Sequence, residues 1–212
     1  MLQDGSPILV MIRNLFPSRL LIKECKDYST ISHSLQSWFY SYQSKHSYSH
    51  DYTMIKGWQS DVLLPSAVPD LDFFWPFFYS HLDECFNEYG FDTDRVGYEL
   101  CAIVFNINTP GSLQSQHSHP EAHMSGTFYV STPEYDAGHL CFHNAHTFHE
   151  ATMIKALRED VIQQEYVACN HFVYPREGYM TMFPSHLEHS VKENRSSKNR
   201  LSIGYNIKVV FK

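Results

Sequence analysis

From about residue 95 onward the chain consists of short β-rich runs broken by turn residues: YELCAIVFNIN, HMSGTFYVST, HLCFHN, NHFVYP, GYMTMFP and RLSIGYNIKVVF. Several of them alternate polar and apolar residues with period two and are bounded by Gly, Pro or Asn, as half-buried strands are. Strands this short and this closely spaced must cover one another's apolar faces. The expected architecture is therefore mainly β, a sandwich or barrel of the jelly-roll kind. One stretch breaks the pattern: residues 147–166 (TFHEATMIKALREDVIQQEY) read as a helical or irregular insertion near 144–168.

The first half reads differently. Residues 8–22 alternate loosely and suit an edge strand, and 30–48 mix both signals with helix favoured. Gly57-Trp58 and the stretch Pro65 to Pro69 read as loops. Residues 70–89 form an amphipathic pattern that Asp70 or Asp72 can cap and Gly90 can end. The aromatic run Phe73 to Tyr79 is expected as helix-to-sheet core. The division is one domain over 1–212, with a helix and strand layer in 1–94 and a jelly-roll core in 95–212. A chain of 212 residues is long enough for one such core.

Composition narrows the function. The formal net charge of −7 disfavours nucleic acid as the partner. Cys25, Cys85, Cys101, Cys141 and Cys169 are scattered and never spaced C-x-x-C, which suits a reducing, cytoplasmic setting and neither a disulfide framework nor a thiolate zinc site. The N-terminal stretch lacks a basic start and a small-residue cleavage site, so no signal peptide is expected, and no apolar run is long enough to span a membrane.

Fourteen histidines stand out, because neutral imidazole is the commonest metal ligand. Position must decide which matter. In His117-Ser118-His119-Pro120 two imidazoles stand two residues apart, and on a strand such residues share a face. In Gly178 to His189 a glycine, an apolar strand and the Pro184 turn precede His189, which would open the next strand. Arg200-Leu-Ser202 begins the last strong strand. An arginine projecting into a barrel beside a metal needs an anion, and its planar fork matches a carboxylate. Three protein ligands on an octahedral ion leave positions open for a cosubstrate and O₂, the logic of the facial triad of non-haem iron. A 2-oxoglutarate held at its far carboxylate by Arg200 would fit such a site.

Residues from about 100 to 210 resemble a 2-oxoglutarate/Fe(II) oxygenase family of bacteria and their phages. The resemblance runs through His117-Ser-His119-Pro120, Ser125-Gly126-Thr-Phe-Tyr129-Val130, Phe183-Pro184-Ser185, His189-Ser-Val with Asn194, Arg200-Leu-Ser202-Ile and Asn206-Ile207. In the first half it is loose, through Leu15-Phe16-Pro17 and the Gly57-Trp58 region. It implies a double-stranded β-helix, Fe(II), 2-oxoglutarate as cosubstrate and O₂, with hydroxylation of a substrate and release of succinate and CO₂. Carried over by position, His117 and His189 are iron ligands, and Arg200 with Ser202 holds the cosubstrate's distal carboxylate. Tyr129 and Asn106, on strands lining the barrel, are candidates to hydrogen-bond the cosubstrate or to serve as satisfied core groups.

The wider superfamily uses H-x-D or H-x-E, and this chain has His119 where the carboxylate is expected. Three neutral histidines leave the site one negative charge short. A shifted reading, His119-Pro120-Glu121, supplies a carboxylate but places a proline in a strand. His186 and His123 are expected near the site or at the surface. His139, His143, His146 and His149 are expected on the surface or in a lid, and His171 in a structural role. Two other classes fit the spacing: a cupin-like metal-binding or sugar-binding module, which does not need Arg200, and a structural jelly roll without metal. Jelly rolls often pair, so a homodimer is the oligomer to expect.

Overall fold

The computed structural model describes residues 17–46, 53–145 and 170–212. Within them the chain runs β1 (Leu21–Glu24), α1 (Ser32–Lys45), β2 (Met54–Ile55), β3 (Trp58–Gln59), α2 (Trp75–Tyr89), β4 (Val96–Asn108), β5 (Leu113–His117), β6 (Met124–Ser131), β7 (Leu140–His143), β8 (Asn170–Val173), β9 (Tyr179–Pro184), β10 (His189–Val191) and β11 (Arg200–Phe211). Two antiparallel sheets result. The larger has the order β1-β9-β6-β11-β4-β3 and the smaller β2-β5-β10-β7-β8.

The larger sheet shows why period two matters. In β11 the odd residues Leu201, Ile203, Tyr205 and Ile207 are buried in the main apolar core, as are Ile103, Phe105 and Ile107 of β4. Leu35, Trp38 and Phe39 of α1 and Trp75, Phe78 and Leu82 of α2 belong to the same core. Edge-to-face aromatic pairs link the layers, Phe39 with Phe105 and Phe78 with Tyr205. The even residues of β11 and β4 therefore turn to the opposite face, toward the smaller sheet. Between the sheets lies a second apolar cluster of Leu140, Phe142, Val173, Phe183 and Val191.

The expected fold class stands: a mainly β jelly roll with helices from the first half packed on one sheet. Phe74 and Phe78 are fully buried, so the centre of the aromatic run is core. Local expectations need correction. The helix begins at Trp75, not at an aspartate cap; Phe74 occupies the cap without a side-chain bond, and Asp70 lies in a short 3₁₀ turn. Pro76 sets this start, since its fixed φ and missing N–H suit only the first turn. Gly90 does end the helix, with φ 105° and its N–H bonded to Asn87 O. Trp58 is not in a loop, because β3 pairs with β4 at Ile107 and Asn106. Of the edge strand expected over 8–22, only residues 21 and 22 lie in a strand, β1, and 17–20 do not; 1–16 lie outside the described residues, as do 146–169, where the helical or irregular insertion is expected.

One glycine is fixed by close approach. A Cβ on Gly126 would lie 2.1 Å from Thr181 O and 2.3 Å from Tyr205 Oη. Tyr205 Oη also donates to Thr181 O at 2.6 Å. Gly126→Ala must therefore displace a backbone carbonyl or a buried phenol. We expect it to cost about 3 kcal/mol, read as a lower urea midpoint with an unchanged slope.

Candidate metal centre and anion site

His117 is the last residue of β5 and His189 the first of β10, and the two face each other in register. His119 lies beyond β5, so the expectation of two imidazoles on one strand face is corrected. The loop after β9 places it instead: His119 N–H donates to Ser185 O at 2.9 Å. One ring nitrogen from each of His117, His119 and His189 could hold a metal ion, and the three lie within 4.8 Å of one another. Glu121 is exposed and outside this cluster, as are His123 and His186.

All three imidazoles are in a state that could hold a metal ion. His117 Nδ1 contacts Ser115 O at 2.7 Å and His189 Nδ1 contacts Leu187 O at 2.8 Å. A carbonyl can only accept, so each Nδ1 carries the hydrogen and each Nε2 keeps its lone pair. Burial disfavours the charged form, pushing His189 down to about 3 and His119 to about 4, with His117 also lowered. Neutral imidazole is the ligand form.

These shifts set a pH dependence for the metal-free fold. The folded values lie below the unfolded one near 6.5, so between about pH 6.5 and 4 the unfolded chain binds more protons. Stability is present above that window and falls as pH drops through it. We expect the urea midpoint of the metal-free protein to decline from pH 6.5 to 4.5, and the decline to flatten in His189→Gln.

Across the cavity, the larger sheet carries the polar residues. Ser202 is flanked in register by Tyr129 of β6 and Asn106 of β4, and Arg200 pairs with Asn108. Arg200 is only 2% exposed. It donates through Nη1 to Gly138 O at 2.6 Å and Ala137 O at 3.3 Å, and through Nη2 to Asn108 Oδ1 at 2.7 Å. Every one of these acceptors is neutral. Among the described residues Arg200 Nε–H is buried with no acceptor, and no carboxylate pairs with the guanidinium. Burial lowers its pKa, a sign of the desolvation it bears. An unpaired buried cation is costly to keep. The site therefore suits an anion with acceptor oxygens. Burial also pushes the Tyr129 phenol up to about 12, so it stays a neutral hydroxyl.

His117, His119, His189, Tyr129, Asn106, Arg200 and Ser202 all line one cavity of about 340 Å³ between the sheets. Sequence reasoning missed three groups beside it: Asn108, Gln59 and Gln114. Gln59 Nε2 and Gln114 Nε2 both donate to Asn106 Oδ1, at 2.9 and 3.1 Å. The Asn106-x-Asn108 alternation was a readable signal, since both must face the cavity if one does. His139 and His143 line an adjoining groove with Ser190 and Lys192.

The model of the family described as "Putative 2OG-Fe(II) oxygenase" matches residues 104–206, a span that holds all three histidines, Arg200 and Ser202. No curated protein sequence matches the chain. Among solved structures it is similar to a Pseudomonas putida prolyl-4-hydroxylase, with TM-score 0.58 and 14% identity over 89% of this chain and 92% of that one. It is also similar to HygX from Streptomyces hygroscopicus, solved with nickel and 2-oxoglutarate bound, with TM-score 0.57 and 12% identity over 90% and 83%. A third is the viral collagen prolyl hydroxylase of Paramecium Bursaria Chlorella virus-1 in its 2OG complex, with TM-score 0.53 and 11% identity over 90% and 96%. At these identities the likeness is one of fold, the double-stranded β-helix.

Proposed function

We infer that this protein is an Fe(II)/2-oxoglutarate-dependent oxygenase, an oxidoreductase of the family its core matches. The observation that carries the reading is the pairing of opposites across one cavity. One wall offers three neutral imidazoles and the other a buried guanidinium without a counter-charge among the described residues. A dianion that chelates a cation at one end and carries a carboxylate at the other answers both needs.

His117, His119 and His189 would hold the iron, and Arg200 with Ser202 would hold the distal carboxylate of 2-oxoglutarate. Tyr129 and Asn106, on either side of Ser202, would hydrogen-bond the same molecule. Bound iron supplies the redox chemistry, in which O₂ oxidises the keto acid to succinate and CO₂ and a substrate is hydroxylated. The chain's own part is orientation and exclusion of water. Asn108 and the carbonyls of Ala137 and Gly138 fix the guanidinium, and Ser115 O and Leu187 O fix two imidazole rings. Glu121, being exposed, is not needed as a ligand in this reading.

No helix among the described residues is long and apolar enough to cross a membrane. The free thiols of Cys25, Cys85, Cys101 and Cys141 suit a reducing cytoplasm, and the net charge of −7 disfavours nucleic acid as substrate. A homodimer is the assembly we would look for first.

The test is anaerobic titration of the Fe(II)-loaded protein with 2-oxoglutarate, following the visible metal-to-ligand charge-transfer band. A saturable band supports the oxygenase. Retained metal with no band would favour the cupin-like alternative, which gives Arg200 no anion to bind.

A further inference from the structure

Among the described residues, two fully buried side-chain atoms of cavity-lining residues lack a partner, and they are of opposite kind. Arg200 Nε–H is a buried donor with no protein acceptor, and Gln59 Oε1 a buried acceptor with no protein donor. Both residues line the same cavity as the histidines. 2-Oxoglutarate answers the first through its carboxylate. It cannot answer the second, because at neutral pH it carries no N–H or O–H. A buried acceptor left unmatched is costly and rare enough to need a partner.

The orientation of the Gln59 amide is fixed by its neighbours. Asn106 Nδ2 faces Val104 O at 3.3 Å, so Asn106 must present Oδ1 to the two glutamines. Gln59 donates its own Nε2 to that oxygen, which leaves Oε1 as the free end. Chemistry separates this acceptor from the cosubstrate clamp, which offers donors to a carboxylate. Gln59 is 7% exposed, but three residues on Val62 lines the same cavity and is 57% exposed. The segment from Gln59 to Val62 thus runs from the buried cavity wall out to solvent.

We propose that Gln59 positions the prime substrate, its Oε1 accepting a hydrogen bond from an amide N–H or hydroxyl of that molecule. The substrate class is then a neutral hydrogen-bond donor small enough to enter a cavity of about 340 Å³, or a side chain or chain end that reaches into it. A site built to satisfy a buried acceptor discriminates strongly against analogues lacking the donor. The proposal rests on the oxygenase reading.

The experiment uses the full chain loaded with Mn(II) and 2-oxoglutarate, and reads the paramagnetic relaxation of small probes by NMR. N-methylacetamide carries an amide donor, isopropanol a hydroxyl, and methyl acetate has a similar shape with neither. In the wild type, one of the two donors should relax roughly five-fold more than methyl acetate, the factor a single net hydrogen bond supplies. Whichever donor wins distinguishes amide from hydroxyl. Gln59→Leu should abolish that excess while leaving the affinity for 2-oxoglutarate within about two-fold. Gln59→Met, closer in shape, should do the same should the leucine variant fold poorly. Equal relaxation of all three probes in the wild type overturns the proposal, and so does an excess that survives both substitutions. A ten-fold loss of 2-oxoglutarate affinity in both variants overturns it too, placing Gln59 in the cosubstrate clamp. A wild type that, loaded with Fe(II) instead, gives no charge-transfer band with 2-oxoglutarate overturns the oxygenase reading itself; a band without donor preference overturns only the role of Gln59.

Discussion

Arg200→Ala should weaken 2-oxoglutarate on the order of 100-fold while leaving pyruvate nearly unaffected. Pyruvate has the same keto-acid end and lacks the distal carboxylate, so the two ligands isolate the contribution of the guanidinium. A guanidinium has five N–H donors, and three bonds hold Arg200 to Ala137 O, Gly138 O and Asn108 Oδ1. That leaves two donors, one of them Nε–H, which is buried and unmatched. A charged pair formed there excludes water on all sides and costs about 3 kcal/mol to lose, close to two decades in affinity. Arg200→Lys keeps the charge as a single point and should fall between the two. The measurement is the dissociation constant of each ligand from anaerobic band titrations. Equal losses for both ligands would sink the assignment and recast Arg200 as a structural cation.

Among the described residues this arginine has no counter-charge, so Arg200→Ala need not be the least stable variant of the set. It removes a desolvated charge but strands the carbonyls of Ala137 and Gly138 and the amide oxygen of Asn108. These effects oppose each other. A large loss of cosubstrate affinity together with a small change in urea midpoint is the pattern of a residue kept for binding.

How much of this could be read from the chain depended on whether a role is local or made across the fold. The six β-rich runs and the helix before Gly90 were legible, because periodicity and turn residues are written into contiguous sequence. So were the positions of His117, His189 and Arg200, each tied to the edge of a strong strand. Strands of two residues, such as Met54–Ile55 and Trp58–Gln59, have no period to detect and exist only because β5 and β4 pair with them. The start of α2 was misread because a proline and two buried side chains, Leu71 and Phe74, outweigh an aspartate cap. Gln59 was invisible for a different reason: its significance is an unmatched oxygen, and that depends on Asn106, 47 residues away.

His189→Ala should abolish tight metal binding, with Glu121→Ala leaving it unchanged, and this pair separates the two readings of the third ligand. His189 is 5% exposed and lies against Phe183, with ring centroids 5.0 Å apart. It pairs in register with His117, so no neighbouring side chain can replace it without moving β10. Loss of a ligand should weaken Co(II) by well over 100-fold, since even the groups that merely orient ligands are worth about 10–100-fold. Because alanine also leaves a void beside Phe183, stability would drop for reasons unrelated to metal. His189→Gln fills most of that void and should stabilise the fold relative to alanine without recovering affinity. His119→Asp tests the remaining position: a carboxylate there restores the charge that three neutral imidazoles leave unmet, so Co(II) should bind at least as tightly as in the wild type. If Glu121→Ala lost metal as His189→Ala does, the exposed carboxylate would have to move into the site on binding, and the three-histidine set would be wrong.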